Sequence, residues 1–99
     1  MSSCCNVNGN VILKSGTNRE DFKKKFEKFL HENCPNFDYE STGDVVSISA
    51  NGDCTKSEHA ALLDFLESHI KNGYIVCNGE YNVWRYLFRD GKWEIHLLV

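Results

Sequence analysis

The stretch NFDYESTGDVVSISANG, residues 36–52, decides the fold. Gly43-Asp44 suits a two-residue hairpin turn with glycine first. Closing the chain there pairs Thr42 with Val45, Glu40 with Ser47, Tyr39 with Ile48 and Phe37 with Ala50. One face of the hairpin then collects Phe37, Tyr39, Val46, Ile48 and Ala50. The other collects Asp38, Glu40, Ser47 and Ser49. A one-residue slip would mix the two sets, so the pattern fixes both the register and the buried side.

On either side of this hairpin the period changes from two to that of a helix. Upstream, TNREDFKKKFEKFLHENCP (17–35) places Thr17 and Glu20 as a capping box and repeats Phe22, Phe26, Phe29 and Leu30 on one stripe. Lys23, Lys24 and Lys25 fall on the wet side, and Pro35 ends the run. Downstream, TKSEHAALLDFLESHIKNG (55–73) opens on a second capping box, Thr55 and Glu58. It shows Leu62, Leu63, Leu66 and Ile70 on one stripe, with Asn72-Gly73 as the expected C-cap. His59 and His69 are expected at its surface or boundary. A β-branched run at about 10–15 precedes the first helix. Residues 1–9 are expected to form a mobile tail.

After the second helix, Tyr74–Cys77 reads as a strand. Asn78-Gly79 and Asp90-Gly91 then mark two further turns. The Asp90-Gly91 turn pairs Phe88 with Trp93, Tyr86 with Ile95 and Trp84 with Leu97, a bulky set expected under the helices or against their edge. A two-residue closure at Asn78-Gly79 pairs Val76 with Tyr81 and Tyr74 with Val83. The expected architecture is α+β: a ferredoxin-like β-α-β-β-α-β unit with two additional C-terminal antiparallel strands. Two helices would lie on one face of a mostly antiparallel sheet, in a single domain spanning residues 1–99.

The same registers leave a second apolar surface. Tyr74, Val76, Tyr81, Val83, Arg85, Leu87, His96 and Leu98 fall on the side away from the helices. A contiguous aromatic and aliphatic face of this kind marks an interface, and aromatics and arginine are enriched where binding energy concentrates. The charge is uneven around it. Residues 11–31 carry six bases against three acids, whereas residues 32–67 carry eight acids against Lys56 alone. Within that acidic segment, Asp38, Glu40 and Asp44 are candidates to meet a basic partner.

Other functions find less support. The 99 residues suffice for one core, and the twelve aromatics and single proline exclude disorder. No apolar run approaches the roughly 20 residues that span a bilayer, so no membrane contact is expected and a cytoplasmic location is. Five cysteines, an odd number without secretory spacing, are expected to be reduced. His31 and Cys34 sit one helical turn apart, but two ligands do not make a structural zinc site, so no metal is expected. No nucleophile elbow, phosphate loop or His-Glu-x-x-His is present, and Cys77 and His96 point to opposite faces. An enzyme is therefore not expected, nor is a cofactor. The acidic balance and the lack of an RNP pattern count against direct nucleic-acid binding.

GYIVCNGEYNVWRYLFRDGKWEI (73–95) resembles the C-terminal hairpin of small proteins encoded by phages and bacterial mobile elements. In size and acidity the chain also resembles the anti-CRISPR class. That resemblance implies a non-enzymatic inhibitor that blocks a defence nuclease by surface contact, with a nucleic-acid-processing complex as its protein partner. The alternative reading is a homodimerising regulatory or small-ligand-binding domain that uses the same sheet face.

Overall fold

A computed structural model describes residues 4–98, those at 4, 5 and 52–54 by backbone alone. Two helices and one six-stranded sheet make an α+β domain. In chain order the elements are β1 (Cys4–Leu13), α1 (Arg19–Asn33), β2 (Phe37–Thr42), β3 (Val45–Cys54), α2 (Lys56–Glu67), β4 (Ile70–Asn78), β5 (Val83–Arg89) and β6 (Lys92–Leu97). Across the sheet they run β2-β3-β1-β4-β5-β6, and every neighbouring pair is antiparallel. The connection through α1 passes over β3, and the one through α2 passes over β1.

The central hairpin has the register read from its sequence, with Thr42 opposite Val45 and Phe37 opposite Ala50. Its apolar side joins one core. Phe22, Phe26 and Leu30 of α1, with Leu62 and Leu66 of α2, meet Val7, Val11, Val46, Ile48 and Ile75 from the sheet. Burying each large side chain contributes roughly 2–3 kcal/mol, enough to decide which face the helices cover. Tyr39 fastens β2 to α1: its hydroxyl donates to Glu27 Oε2 at 2.7 Å. Burial, then this bond and the carboxylate charge, push the phenol up to about 12.

Four local expectations change. The strand expected near residue 10 already begins at Cys4, so residues 4–9 belong to β1 and not to a tail. Residues 1–3, and the side chains of Cys4, Cys5 and Cys54, lie outside the described residues. The signal was an alternation of Asn6, Asn8 and Asn10 with Val7, Gly9 and Val11, hidden because asparagine and glycine read as turn formers. Helix α1 is capped by Asn18, whose side chain accepts from Asp21 N at 3.0 Å; Thr17 instead donates its hydroxyl to the Lys14 carbonyl. The second capping box, Thr55 with Glu58, forms in both directions.

Helix α2 stops at Glu67 rather than at Asn72-Gly73, because Ile70 and the residues after Lys71 pair with β1. Gly73 works inside β4: a Cβ there would lie 2.6 Å from Val11 Cα. A Cβ on Gly9 would overlap the Tyr74 carbonyl. These two glycines let β1 and β4 close on each other.

The remaining change is the β4–β5 connection. Asn78-Gly79 is not a two-residue turn; Gly79–Asn82 form a four-residue loop closed by Gly79 N donating to Asn82 O at 2.8 Å. Tyr74 therefore opposes Leu87, and Val76 opposes Arg85. The expected register would have carried Tyr86 toward Lys71. The observed one sets Tyr86 on Ile75 and Trp84 on Cys77, both buried partners. The shift is an even number of residues, so the strand side chains keep the faces read from the sequence.

Candidate functional site

With both helices on one side, the other side of the sheet has no described element over it. Its residues form rows across all six strands. One row is Glu40, Ser47, Asn10, Tyr74, Leu87 and Glu94; the next is Asp38, Ser49, Asn8, Val76, Arg85 and His96. Along each row carboxylate, hydroxyl and amide groups give way to Tyr74 or Val76 at β4 and to Leu87 or Arg85 at β5, and β6 ends the rows with Glu94 and His96.

At the acidic end, Asp38 and Glu40 are exposed and line a polar hollow of about 580 Å³ with Asn8, Asn10, Ser47 and Ser49. The amides of β1 tie the two halves together. Asn10 accepts from Ser47 Oγ at 2.6 Å and donates to Tyr74 Oη at 3.0 Å. Asp44 does not join Asp38 and Glu40. It lies in the hairpin turn, where Arg19 Nε holds its carboxylate at 3.0 Å.

At the other end, Tyr74 and Leu98 are exposed, and Val76, Val83, Arg85, Leu87 and His96 are half-buried. Tyr81 departs from the expected set. It lies in the four-residue loop, 85% exposed, because no β4 residue pairs with it. Arg85 Nη2 approaches His96 Nδ1 at 3.0 Å, and His96 Nε2 lies 3.2 Å from Glu94 Oε1. A guanidinium offers only donors, so Nδ1 accepts and Nε2 carries the hydrogen given to Glu94. Glu94 also takes both Arg89 bonds, at 3.1 and 3.2 Å, which hold its carboxyl below the usual range. Arg85 Nε is buried with no partner among the described residues. A chain of contacts thus runs from Arg89 through Glu94 and His96 to Arg85.

The helix side contains a second concave region that the sequence reading missed. The Asp90-Gly91 hairpin has the expected register, yet of its six bulky residues only Phe88 is buried. Trp84, Tyr86 and Trp93 are half-buried, while Ile95 and Leu97 are 68% and 71% exposed. Trp84, Tyr86, Ile95 and Leu97 form one wall of an apolar groove of about 570 Å³, and Ala60 and Leu63 of α2 form the other. Beside the groove, Trp93 Nε1 donates to the Leu63 carbonyl at 3.1 Å and ties β6 to α2. Simple spacing would have revealed it: helices pack about 8–10 Å apart and strands about 4.8 Å, so two helices cover about four strands and leave two bare.

His59, expected at the surface or boundary of α2, sits at the base of this groove and is 4% exposed. Its Nδ1 is 3.2 Å from Tyr86 Oη, and its Nε2 has no partner among the described residues. Burial lowers its pKa, against the opposing charge of Glu58. Cys34 is buried with Sγ 3.6 Å from the Glu58 carbonyl, while His31 is exposed, so that pair is not brought into one site. Cys77 is buried on the helix side and His96 lies on the open side. No group of three or more His, Cys, Asp or Glu side chains gathers among the described residues. Among them too, no helix is long and apolar enough to cross a membrane. Comparisons with protein families, with curated proteins and with solved structures find no match.

Proposed function

We propose that this chain is a non-enzymatic protein-binding module that docks through the open face of β4, β5 and β6 and blocks the surface it covers. One observation carries the reading. The helix-free face presents Tyr74, Val76, Val83, Leu87 and Leu98 around Arg85 in neighbouring rows, an apolar and aromatic surface with a cation at its centre. Such surfaces supply the buried contact of interfaces. The first four strands and two helices serve as a ferredoxin-like frame, and β5 and β6 enlarge the docking face beyond it.

Asp38 and Glu40, at the other end of the same rows, would meet basic groups on the partner. That combination suits an inhibitor of a nucleic-acid-processing complex, the kind of partner the anti-CRISPR resemblance implies. The test is a tagged pull-down from nuclease-treated bacterial lysate, with wild type beside Leu87→Glu and bound proteins identified by mass spectrometry. We expect a defined nuclease or nucleoprotein subunit on wild type and its loss from the variant, with an unchanged circular-dichroism melt showing that the variant folds. Equal retention by both chains, or recovery of the bait alone, would remove the reading.

A further inference from the structure

We infer that two copies of this chain join edge to edge through β6, antiparallel, with Ile95 of each copy on the two-fold axis. The contact lies on a different surface from the open-face docking proposed above and does not depend on it.

β6 ends the sheet, and among the described residues no strand pairs with its outer edge. Leu98 N donates to Val83 O, so the alternation of an antiparallel ladder turns the backbone groups of Lys92, Glu94 and His96 toward β5. Those of Trp93, Ile95 and Leu97 point outward. The side chains of these same three residues lie on the helix side, where Trp93 packs against the core and Ile95 and Leu97 line the groove and are largely exposed. Exposed sheet edges are usually guarded by proline, a bulge or charge. β6 has neither proline nor bulge, its lysine stands at its first residue, and its one mid-strand carboxylate, Glu94, is held by Arg89.

Self-pairing has few registers, because an antiparallel pair must keep each side chain on its own face. Centring the axis on Glu94 would set two carboxylates opposite each other, and centring it on His96 would oppose two imidazoles. Centring it on Ile95 opposes Glu94 to the partner's His96 on the open face. It also opposes Trp93 to the partner's Leu97 and Ile95 to the partner's Ile95 on the groove side. The outward backbone groups then fall into hydrogen-bonded pairs, and the two apolar grooves meet across the axis between the two α2 helices.

The other edge shows why the assembly would close at two copies. β2 also ends the sheet, and it carries Asp38 and Glu40 on one face. Centred on Asp38, Tyr39 or Glu40, self-pairing always sets carboxylate against carboxylate. A β6 dimer therefore presents only β2 edges, which repel one another.

The test is light scattering on size-exclusion fractions over a concentration series, for wild type, Ile95→Lys and Tyr81→Lys. We expect wild type and Tyr81→Lys at twice the chain mass. Ile95→Lys, which sets two ammonium groups on the axis, should weaken the dimer by at least about a hundred-fold. The register is tested by Ile95→Cys and Leu97→Cys, each with serine at Cys4, Cys5 and Cys54. Axis residues of a hydrogen-bonded pair stand about 5.5 Å apart at Cα, within disulfide reach, so Ile95→Cys should crosslink on oxidation. Leu97→Cys faces the partner's Trp93 and should not. Monomeric wild type at every concentration would overturn the proposal, as would growth beyond a dimer. So would a dimer that Ile95→Lys leaves intact, or crosslinking through position 97 in place of 95.

Discussion

On the helix side of the sheet, one row of side chains runs Tyr39, Ile48, Gly9, Ile75, Tyr86 and Ile95. Its three isoleucines occupy equivalent strand positions, yet Ile48 and Ile75 are 1% exposed and Ile95 is 68% exposed. The row beside it ends the same way, from buried Phe37 to exposed Leu97. Neither residue type nor alternation differs along these rows. What differs is the layer above, because α1 and α2 cover the sheet only as far as Trp93 and Tyr86. An apolar strand position becomes core only where another element is available to cover it.

The largest expected effect tests the covered end. Phe26 is fully buried, with ring contacts to Phe65 at 5.5 Å and Tyr39 at 5.1 Å. Phe26→Ala should destabilise the fold by about 3–5 kcal/mol, since a large cavity would open among side chains that cannot collapse into it. Urea titration followed by tryptophan fluorescence measures this. A loss below about 1 kcal/mol would mean that this end is no better packed than β6, and the contrast would fail.

A smaller effect comes from the boundary between the two ends, where His59 is buried against Tyr86. Burial lowers its folded pKa below the unfolded value. As pH falls through the unfolded value, about 6.5, the unfolded chain takes up a proton that the folded chain refuses. Stability should therefore decline over that interval, by at most about 1.4 kcal/mol per pH unit from this group, and level off once the folded imidazole protonates. His59→Leu removes the proton and the unpartnered nitrogen, so its advantage over wild type should grow on acidification. Urea midpoints from about pH 8 to about pH 5 give the two curves, and parallel curves would show that His59 titrates as it does in the unfolded chain.

Much of this arrangement was legible in the sequence. The central hairpin declared its register because each face is chemically pure, and the Asp90-Gly91 hairpin did so because its turn leaves no slack. Thr55 and Glu58 marked the start of α2 by mutual capping. The start of β1 was obscured because Asn6, Asn8 and Gly9 have turn propensities that pairing with β3 and β4 overrides. The β4–β5 loop was misread because Asn78-Gly79 resembles a tight turn, whereas the packing of Trp84 on Cys77 and Tyr86 on Ile75 decides the register. The open face survived that error through parity, and only Tyr81 left it. The groove was missed for a different reason: residue type fixes which side of a strand is apolar, but coverage depends on how many strands two helices can span.

The smallest expected effect concerns Leu97 and separates folding from association. At 71% exposure its side chain has little intramolecular packing to lose. In the Ile95→Lys chain, Leu97→Ser should therefore change unfolding free energy by no more than about 0.5 kcal/mol. In the wild-type background the same substitution would remove the contact with the partner's Trp93, and the apparent stability of a dimer rises with protein concentration. The additional loss should then appear only there, and should vary with concentration. An equal loss in both backgrounds would assign Leu97 to the monomer's own core, placing β6 with the covered strands after all. A loss in wild type alone would show that the second layer over β6 comes from another copy of the chain.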